Sequence, residues 1–318
     1  MVTGGLGFIG ANLSLALLAA GAEVTVIDAL IPRHGGDTRN LEGAAGAIEV
    51  IVADIGDATA VSGAAERADF VFNVAGQVSH LDSVDDPRRD LELNTTSHLA
   101  FLEVLRRVNP NAVVVYASTR QVYGRATDLP VDEQHPVHPI DVNGVSKHAT
   151  EHFHLLYSSL FGLRASVLRL TNVYGPRQRL SGDHQGFVPT FVRRAFEGQP
   201  ITIYGDGAQR RDCIYVDDVV TAFMAAALES RAVGEIINVG NTEALTVHQI
   251  AEVIVAAVGS GKLELVAWPP ERLAIDIGTF FGDYGKATAL LGWEPRVQFE
   301  AGIAMAVEYY RQNRSWYL

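Results

Sequence analysis

Lys147 closes the stretch Asn143-Gly144-Val145-Ser146-Lys147, and on a helix predicted at 143–161 that spacing puts the asparagine and the lysine on one face. A lysine there can hold ribose hydroxyls and bring positive charge to a reacting centre, although a lone helical lysine is also commonly plain solvated surface. Tyr116-Ala117-Ser118-Thr119 ends a predicted strand, at the carboxyl edge where doubly wound sheets place their ligands. Near the start, Gly4-Gly5-Leu6-Gly7-Phe8-Ile9-Gly10 follows a short strand and opens a helix. Glycines at 4, 7 and 10 permit a tight turn, close approach of backbone to a pyrophosphate, and close packing of helix on sheet. The helix start, with Phe8 and Ile9 in its first turn, offers free amides and a partial positive charge to phosphates. Taken alone, the triplet also fits a flexible loop.

Asp28 narrows the choice. It ends the second predicted strand 18 residues after Gly10, where a carboxylate accepts hydrogen bonds from a ribose 2′-hydroxyl and repels a 2′-phosphate. That favours NAD over NADP, while Arg33 and Arg39 in the next loop argue the other way, and a solvated loop start is the alternative for Asp28 itself. After the third strand, Asp54-Ile55 suits an adenine edge and face. Val74-Ala75-Gly76-Gln77 after the fourth suits the pyrophosphate and the neighbouring ribose, though small residues at strand ends are also ordinary turns.

The elements that must position these groups alternate. Strands predicted at 23–28, 48–52, 70–74, 112–117 and 164–170, apolar on both faces, are separated by helical patterns at 8–20, 57–67, 88–107 and 143–161. This is the pattern of a parallel sheet covered on both sides. After Leu170 the loops lengthen. Helices follow at 189–197, 216–228, 247–258 and 299–312, with strands at 201–204 and 235–239. The fold class expected is α/β, a Rossmann doubly wound sheet (1–173 and 212–240) with a smaller, discontinuous C-terminal substrate domain (174–211 and 241–318). Only three residues precede the glycine turn, so the first strand is unusually short or the true start lies upstream.

The totals bound the function. The chain has 318 residues, 48% of them hydrophobic, and its longest early apolar stretch, 13–20, falls far short of the roughly 20 residues that span a bilayer. No leader pattern is visible. One cysteine, Cys213, excludes an internal disulfide and a cysteine zinc cage. A net charge of −12 argues against nucleic acid but not against a phosphorylated small ligand, for which a few arginines suffice. No metal, no membrane and a cytoplasmic setting are expected.

Several further motifs carry a resemblance. They include Thr3–Gly10, Val26-Ile27-Asp28, Ala53-Asp54-Ile55, Asn94, Ser118-Thr119 with Val122-Tyr123-Gly124, and 169–176. Ile203-Tyr204-Gly205-Asp206-Gly207, Arg211-Asp212, Tyr215-Val216-Asp217-Asp218 and Leu291-Gly292-Trp293 complete them. From Val2 to about Tyr310 the chain resembles the extended short-chain dehydrogenase/reductases, in particular the NAD-dependent nucleotide-sugar epimerases and dehydratases. The resemblance implies hydride transfer between a sugar carbon and NAD, with Asn94 and Leu170 joining the cofactor site. It places Thr119 on the reacting hydroxyl, Lys147 on the nicotinamide ribose, and Ser118, Asn172 and Arg211 on the substrate. Arg272 falls near the diphosphate, and Phe280-Phe281 where the hexose is gated. It also implies a homodimer built from the helices at 88–107 and 143–161, whose apolar residues include Leu91, Leu99, Leu102, Phe153, Leu156 and Leu160. The competing expectation is that half of these face the monomer's own core.

Two departures stand out. Dehydratases of this family typically carry Asp and Glu after the threonine, as acid and base for water loss; this chain has Arg120 and Gln121. The family's catalytic tyrosine position holds Asn143, and a carboxamide cannot act as a base. His80, on the loop after the fourth strand, is the best-placed substitute base, although a histidine there more commonly just holds a loop or the sugar; Asp141, which equally suits a helix cap, Glu133, His135 and a relayed water are other options. Three functions remain open on these grounds: a UDP-glucose/UDP-galactose-type 4-epimerase with an altered proton path, a catalytically silent NAD and sugar-nucleotide binder, and a net dehydrogenase or reductase. Tightly bound NAD without net NADH change distinguishes the first.

Overall fold

The computed structural model describes residues 1–32, 34–182 and 186–318; Arg33 lies outside the described residues. Its strands are β1 (Val2–Thr3), β2 (Val24–Asp28), β3 (Ile48–Val52), β4 (Phe70–Asn73), β5 (Val113–Thr119), β6 (Arg164–Leu170), β7 (Val173–Tyr174), β8 (Pro200–Tyr204), β9 (Arg210–Arg211), β10 (Ile214–Tyr215), β11 (Ile236–Val239), β12 (Leu245–Thr246) and β13 (Lys262–Val266). The longer helices are α1 (Phe8–Ala19), α2 (Ala58–Arg67), α5 (Ser97–Val108), α6 (Val142–Phe161), α7 (Phe187–Phe196), α8 (Val216–Leu228), α9 (Val247–Val258), α11 (Gly285–Leu291) and α12 (Phe299–Gln312). Short helices α3 (His80–Asp85), α4 (Pro87–Leu91), α10 (Pro270–Ala274) and α13 (Arg314–Tyr317) fill the gaps.

Seven strands form one parallel sheet in the order β11-β6-β5-β4-β1-β2-β3. The order reverses at β1, so the loops after β1 and β4 diverge and leave the crevice in which such sheets bind ligands. Alternation along each strand feeds two cores. Val26, Phe72, Val115 and Leu168 meet α1, α8 and α11 on one face. Ile27, Val71, Val114 and Ala165 meet α2, α5 and α6 on the other. A separate core joins α7, α9 and α12 to β8 through Phe191, Ile254, Ile303 and Ile203.

The expected elements are in place with differences that have physical causes. β3 is the sheet edge, so Val50 and Val52 are exposed rather than covered on both faces. The strand at 201–204 is paired in parallel with β13, which the loop-like texture around Trp268-Pro269-Pro270 concealed. The helix expected at 88–107 is broken: α4 runs into a π turn over Glu92–Thr96 before α5 begins. The π turn buries Asn94, whose carbonyl accepts from Thr150 Oγ at 2.5 Å and whose side chain turns toward the ligand end of the sheet. Such bulges recur at functional positions.

α6 is anchored at both ends. Asp141 caps its start, accepting the Gly144 amide at 2.7 Å. Gly162, with φ 74°, ends it in the left-handed conformation. Midway, Glu151 meets Arg169 of β6 in a two-pronged pair, 2.9 and 2.7 Å, both residues buried, and Ser118 Oγ donates to the same carboxylate at 2.5 Å. Burial acts to raise the Glu151 pKa, but the Arg169, His148 and Ser118 donors outweigh it and hold the group below the ordinary glutamate range. Breaking a buried pair from one side strands the other charge, so Glu151→Ala is expected to cost about 3–5 kcal/mol of unfolding free energy in chemical denaturation. Because the folded pKa is depressed, this contribution is fully present above the unfolded value and is lost as pH falls through the folded one. A stability profile of the Ala variant that parallels the wild type from neutral into acid contradicts this assignment.

Candidate active site

A cavity of about 510 Å³ follows the carboxyl ends of the parallel strands, from Gly4 past Lys147 to Arg272. Its first stretch is the glycine turn. Gly4, Gly7, Phe8, Ile9 and Gly10 line it, and α1 has neither a side-chain cap nor an acidic residue in its first turn, which leaves its amides for an anion. Packing allows no side chain at Gly10, where a Cβ would lie 2.7 Å from the Gly5 Cα. Asp28 lines the next stretch; its two oxygens accept the Leu6 amide at 3.0 Å and the Leu30 amide at 2.8 Å, which orients the carboxylate. Burial raises its pKa, countered by those amides. Arg39 is tied to Asp37 at the surface, outside the cavity lining. Asp54, Ile55, Val74, Ala75, Gly76 and Gln77 complete the wall.

Lys147 is buried in that wall, its Nζ 5.3 Å from the centre of the Tyr116 ring. Burial brings its pKa down to about 8, while Asp90 and Glu151 act to raise it. Gly76 has φ 139°, a conformation that strains any side chain, and a Cβ there would also crowd Asn94 Oδ1 at 2.5 Å and Nζ at 2.8 Å. Asn94 stands behind the wall, not in it: its Oδ1 accepts the Gln77 amide at 3.0 Å, so it shapes the loop.

Asn143 lines the cavity, but its amide nitrogen is committed to Gln77 O at 3.0 Å and Asp90 Oδ1 at 3.2 Å. The same Asp90 oxygen accepts from Gln77 Nε2 at 3.2 Å and Asn94 Nδ2 at 2.9 Å. Asp90 was not among the sequence candidates. Its signal was weak: a carboxylate four residues before Asn94 in an apparently ordinary polar helix start.

His80 begins α3 and lines the cavity, its side chain 38% exposed. Its Nδ1 lies 2.7 Å from Asp141 Oδ2, inside ion-pair distance though without the alignment of a hydrogen bond. Gln121 Nε2 donates to the same oxygen at 2.9 Å. Burial acts to raise the Asp141 pKa, but His80, Gly144 and Gln121 outweigh it and leave it below its ordinary range. Glu133 and His135 are elsewhere: Glu133 accepts the Asn238 amide and His135 the Thr127 amide, and neither lines the cavity.

At the far end Ser118, Thr119, Leu170, Asn172, Arg211 and Arg272 all line the cavity. Thr119 caps the short turn after β5, accepting the Gln121 amide at 3.2 Å. Arg211 bonds the Arg210 and Gly278 carbonyls and faces Asp276 at 3.3 Å. Phe280, expected where the hexose is gated, does not line the cavity. It is buried with Val122, Tyr123, Val131 and Ile277, and its ring lies under the Arg120 guanidinium at 5.1 Å. An aromatic face at a buried cation explains that placement.

Residues 1–240 match the NAD dependent epimerase/dehydratase family. The chain belongs to that family. It is 35% identical to the UDP-glucose 4-epimerase of Mycolicibacterium smegmatis, over 98% of each chain. Among solved structures, the UDP-glucose 4-epimerase of Thermotoga maritima with UDP-glucose shares 34% identity and a TM-score of 0.89 over 98% of each. The dTDP-glucose 4,6-dehydratase DesIV of Streptomyces venezuelae, with NAD and TYD bound, shares 28% identity and a TM-score of 0.89 over 99% of this chain and 98% of that one. NAD is the cofactor of the family, and the open amides of α1 with the oriented Asp28 fit a dinucleotide carrying a free 2′-hydroxyl. Asp28→Ala is expected to weaken NAD by about 1.5–3 kcal/mol for each charge-assisted bond lost, read by calorimetric titration. Tighter binding of NADP than NAD by the wild type is the contrary result.

Proposed function

We propose that the protein is an NAD-dependent 4-epimerase of UDP-linked hexoses with glucose or galactose configuration, in which a His80–Asp141 pair does the work of the missing phenol. As an enzyme acting on nucleotide sugars it has good support from its relatives, which include UDP-glucose 4-epimerases. What favours epimerisation over water loss is the wall after Thr119. Arg120 and Gln121 stand there, neither able to serve as acid or base near neutral pH, and both are engaged, with Asn172 and with Asp141.

Bound NAD supplies a hydride acceptor and donor at the sugar carbon. Thr119 Oγ holds the reacting hydroxyl, and His80 receives its proton and returns it. With Nδ1 against Asp141, Nε2 is the nitrogen left for that exchange. Lys147 holds the nicotinamide ribose and adds positive charge. Arg211 and Arg272 take the diphosphate, and the core joining α7, α9 and α12 carries the substrate-holding part of the chain.

The test is purified protein with a panel of UDP-linked hexoses, hexosamines and hexuronates and no added NAD. Interconversion at carbon 4 without net NADH is expected, and His80→Ala should lower turnover by about 10²-fold or more. Asn143→Tyr should bring no gain. A wild type silent on the whole panel, with a tyrosine variant that turns one over, replaces this reading with that of a lapsed enzyme.

We also propose a homodimer through α5 and α6. Leu156 and Leu160 of α6 are exposed, as is Leu91 of α4, while Leu102 is buried and Leu99 and Phe153 pack partly on the monomer's core. Light scattering at micromolar concentration should give twice the chain mass; a monomer mass refutes the dimer.

A further inference from the structure

The hexose end of the cavity holds a cation that the protein itself does not neutralise at close range. Arg120 follows Thr119 directly, lines the cavity, and is 9% exposed. Its Nη2 donates to Asn172 Oδ1 at 2.8 Å, and its plane rests over the Phe280 ring. Its Nη1 is buried with no hydrogen-bond partner among the described residues. The acidic groups nearby are spoken for. Asp212 accepts from Thr171 Oγ at 2.5 Å, from the Gly282 amide at 2.8 Å and from the Tyr284 hydroxyl, while Asp276 faces Arg211. No carboxylate within ion-pair distance of Arg120 occurs among the described residues. Burial, with Arg211 beside it, brings the Arg120 pKa down to about 10 against the longer-range pull of Asp212, so it stays charged at neutral pH.

A buried guanidinium with a bare N–H and no ion-pair partner is costly. An anion entering the cavity offsets that cost. The Phe280 face and the bond to Asn172 hold the guanidinium in place, which is preorganisation for an anion, and its fork geometry suits a planar carboxylate. The position narrows which carboxylate. If Thr119 holds the hydroxyl on carbon 4, the adjoining carbons are carbon 3, which carries a hydroxyl, and carbon 5, whose substituent alone can be an anion. That substituent is a hydroxymethyl group in a neutral hexose and a carboxylate in a hexuronate.

We propose that Arg120 is an acid-recognising residue and that the sugar of the substrate is a hexuronate, the carboxylate on carbon 5 being held by the Arg120 guanidinium. This rests on the proposed function above and narrows its substrate class.

The experiment compares UDP, UDP-glucose and UDP-glucuronate binding to the NAD-loaded protein by calorimetry, for wild type, Arg120→Met and Arg120→Lys. Wild type should bind UDP-glucuronate about 10–100-fold more tightly than UDP-glucose, the range of a charge-assisted contact. Arg120→Met should erase that preference while leaving UDP affinity unchanged, and Arg120→Lys should keep part of it. Equal wild-type affinity for the two sugars overturns the inference. So does a Met variant that loses affinity for UDP as much as for UDP-glucuronate, because Arg120 then reads the diphosphate. If neither UDP-sugar nor UDP binds, the UDP-hexose reading falls first and the inference falls with it. Should Arg120→Met not fold, the wild-type preference and the Lys variant still decide.

Discussion

The cavity floor depends on one buried carboxylate oxygen. Asp90 Oδ1 collects N–H groups from Gln77 on the loop after β4, Asn94 on the π turn and Asn143 at the start of α6. These segments are far apart in sequence and meet only because the sheet order places β4 beside β5 and α6 across them. A carboxylate taken out of water is expensive unless it is paired and hydrogen-bonded. Here three amide donors meet one oxygen, and the Lys147 ammonium acts on the same charge. The benefit is geometric. Gln77 and Gly76 are held where a cofactor-binding loop has to lie, and Lys147 is held against Gly76 with no room for a side chain between.

Much of the frame was legible because it is local. The glycine turn, the strand that ends at Asp28 and the apolar runs of β5 and β6 each announce themselves within a dozen residues, since periodicity and turn chemistry are short-range signals. Phe280 lies in a core cluster rather than along the cavity, and spacing does not tell the two placements apart because a gating role and a core role demand the same residue type. What separates them is the distant Arg120, which sequence spacing does not bring near. The break at Glu92–Thr96 was hidden for a related reason: a π turn keeps helical composition and changes only the phase of the side chains. Asp90 and the Asp141 partnership with His80 were illegible as pairs, although Asp141 and His80 were each visible as candidates. Their partners lie 53 and 61 positions away, from Asp90 to Asn143 and from His80 to Asp141.

Charge is arranged unevenly along the cavity. The α1 end offers backbone amides and the oriented carboxylate of Asp28, which together discriminate a hydroxyl from a phosphate. The opposite end is arginine-rich. There Arg211 has Asp276, and Arg120 has an amide oxygen and an aromatic face instead of an ion-pair partner. The buried ionic cost is therefore concentrated at the end where the sugar is proposed to lie. Net acidity of the whole chain, −12, does not oppose this, because the low-dielectric wall makes the nearest groups decisive.

Asn143 is best understood from its neighbours rather than from the residue it replaces. A tyrosine has one hydroxyl donor at the end of a rigid ring. It cannot reach Gln77 O and Asp90 Oδ1 from the position where the short carboxamide now bonds both. With a ring at that site the phenol would extend into the cavity, and Asp90 would lose one of its three donors. The asparagine is thus fitted to the floor, which is not what a bare loss of a catalytic group leaves behind. Its shortness also withdraws side-chain volume from the cavity that His80 lines, and the ring of that histidine is backed by the Asp141 carboxylate, which the Gly144 amide and Gln121 Nε2 also hold. The two features belong together: the same α6 start that locks Asn143 into the floor presents Asp141 to the histidine two residues earlier.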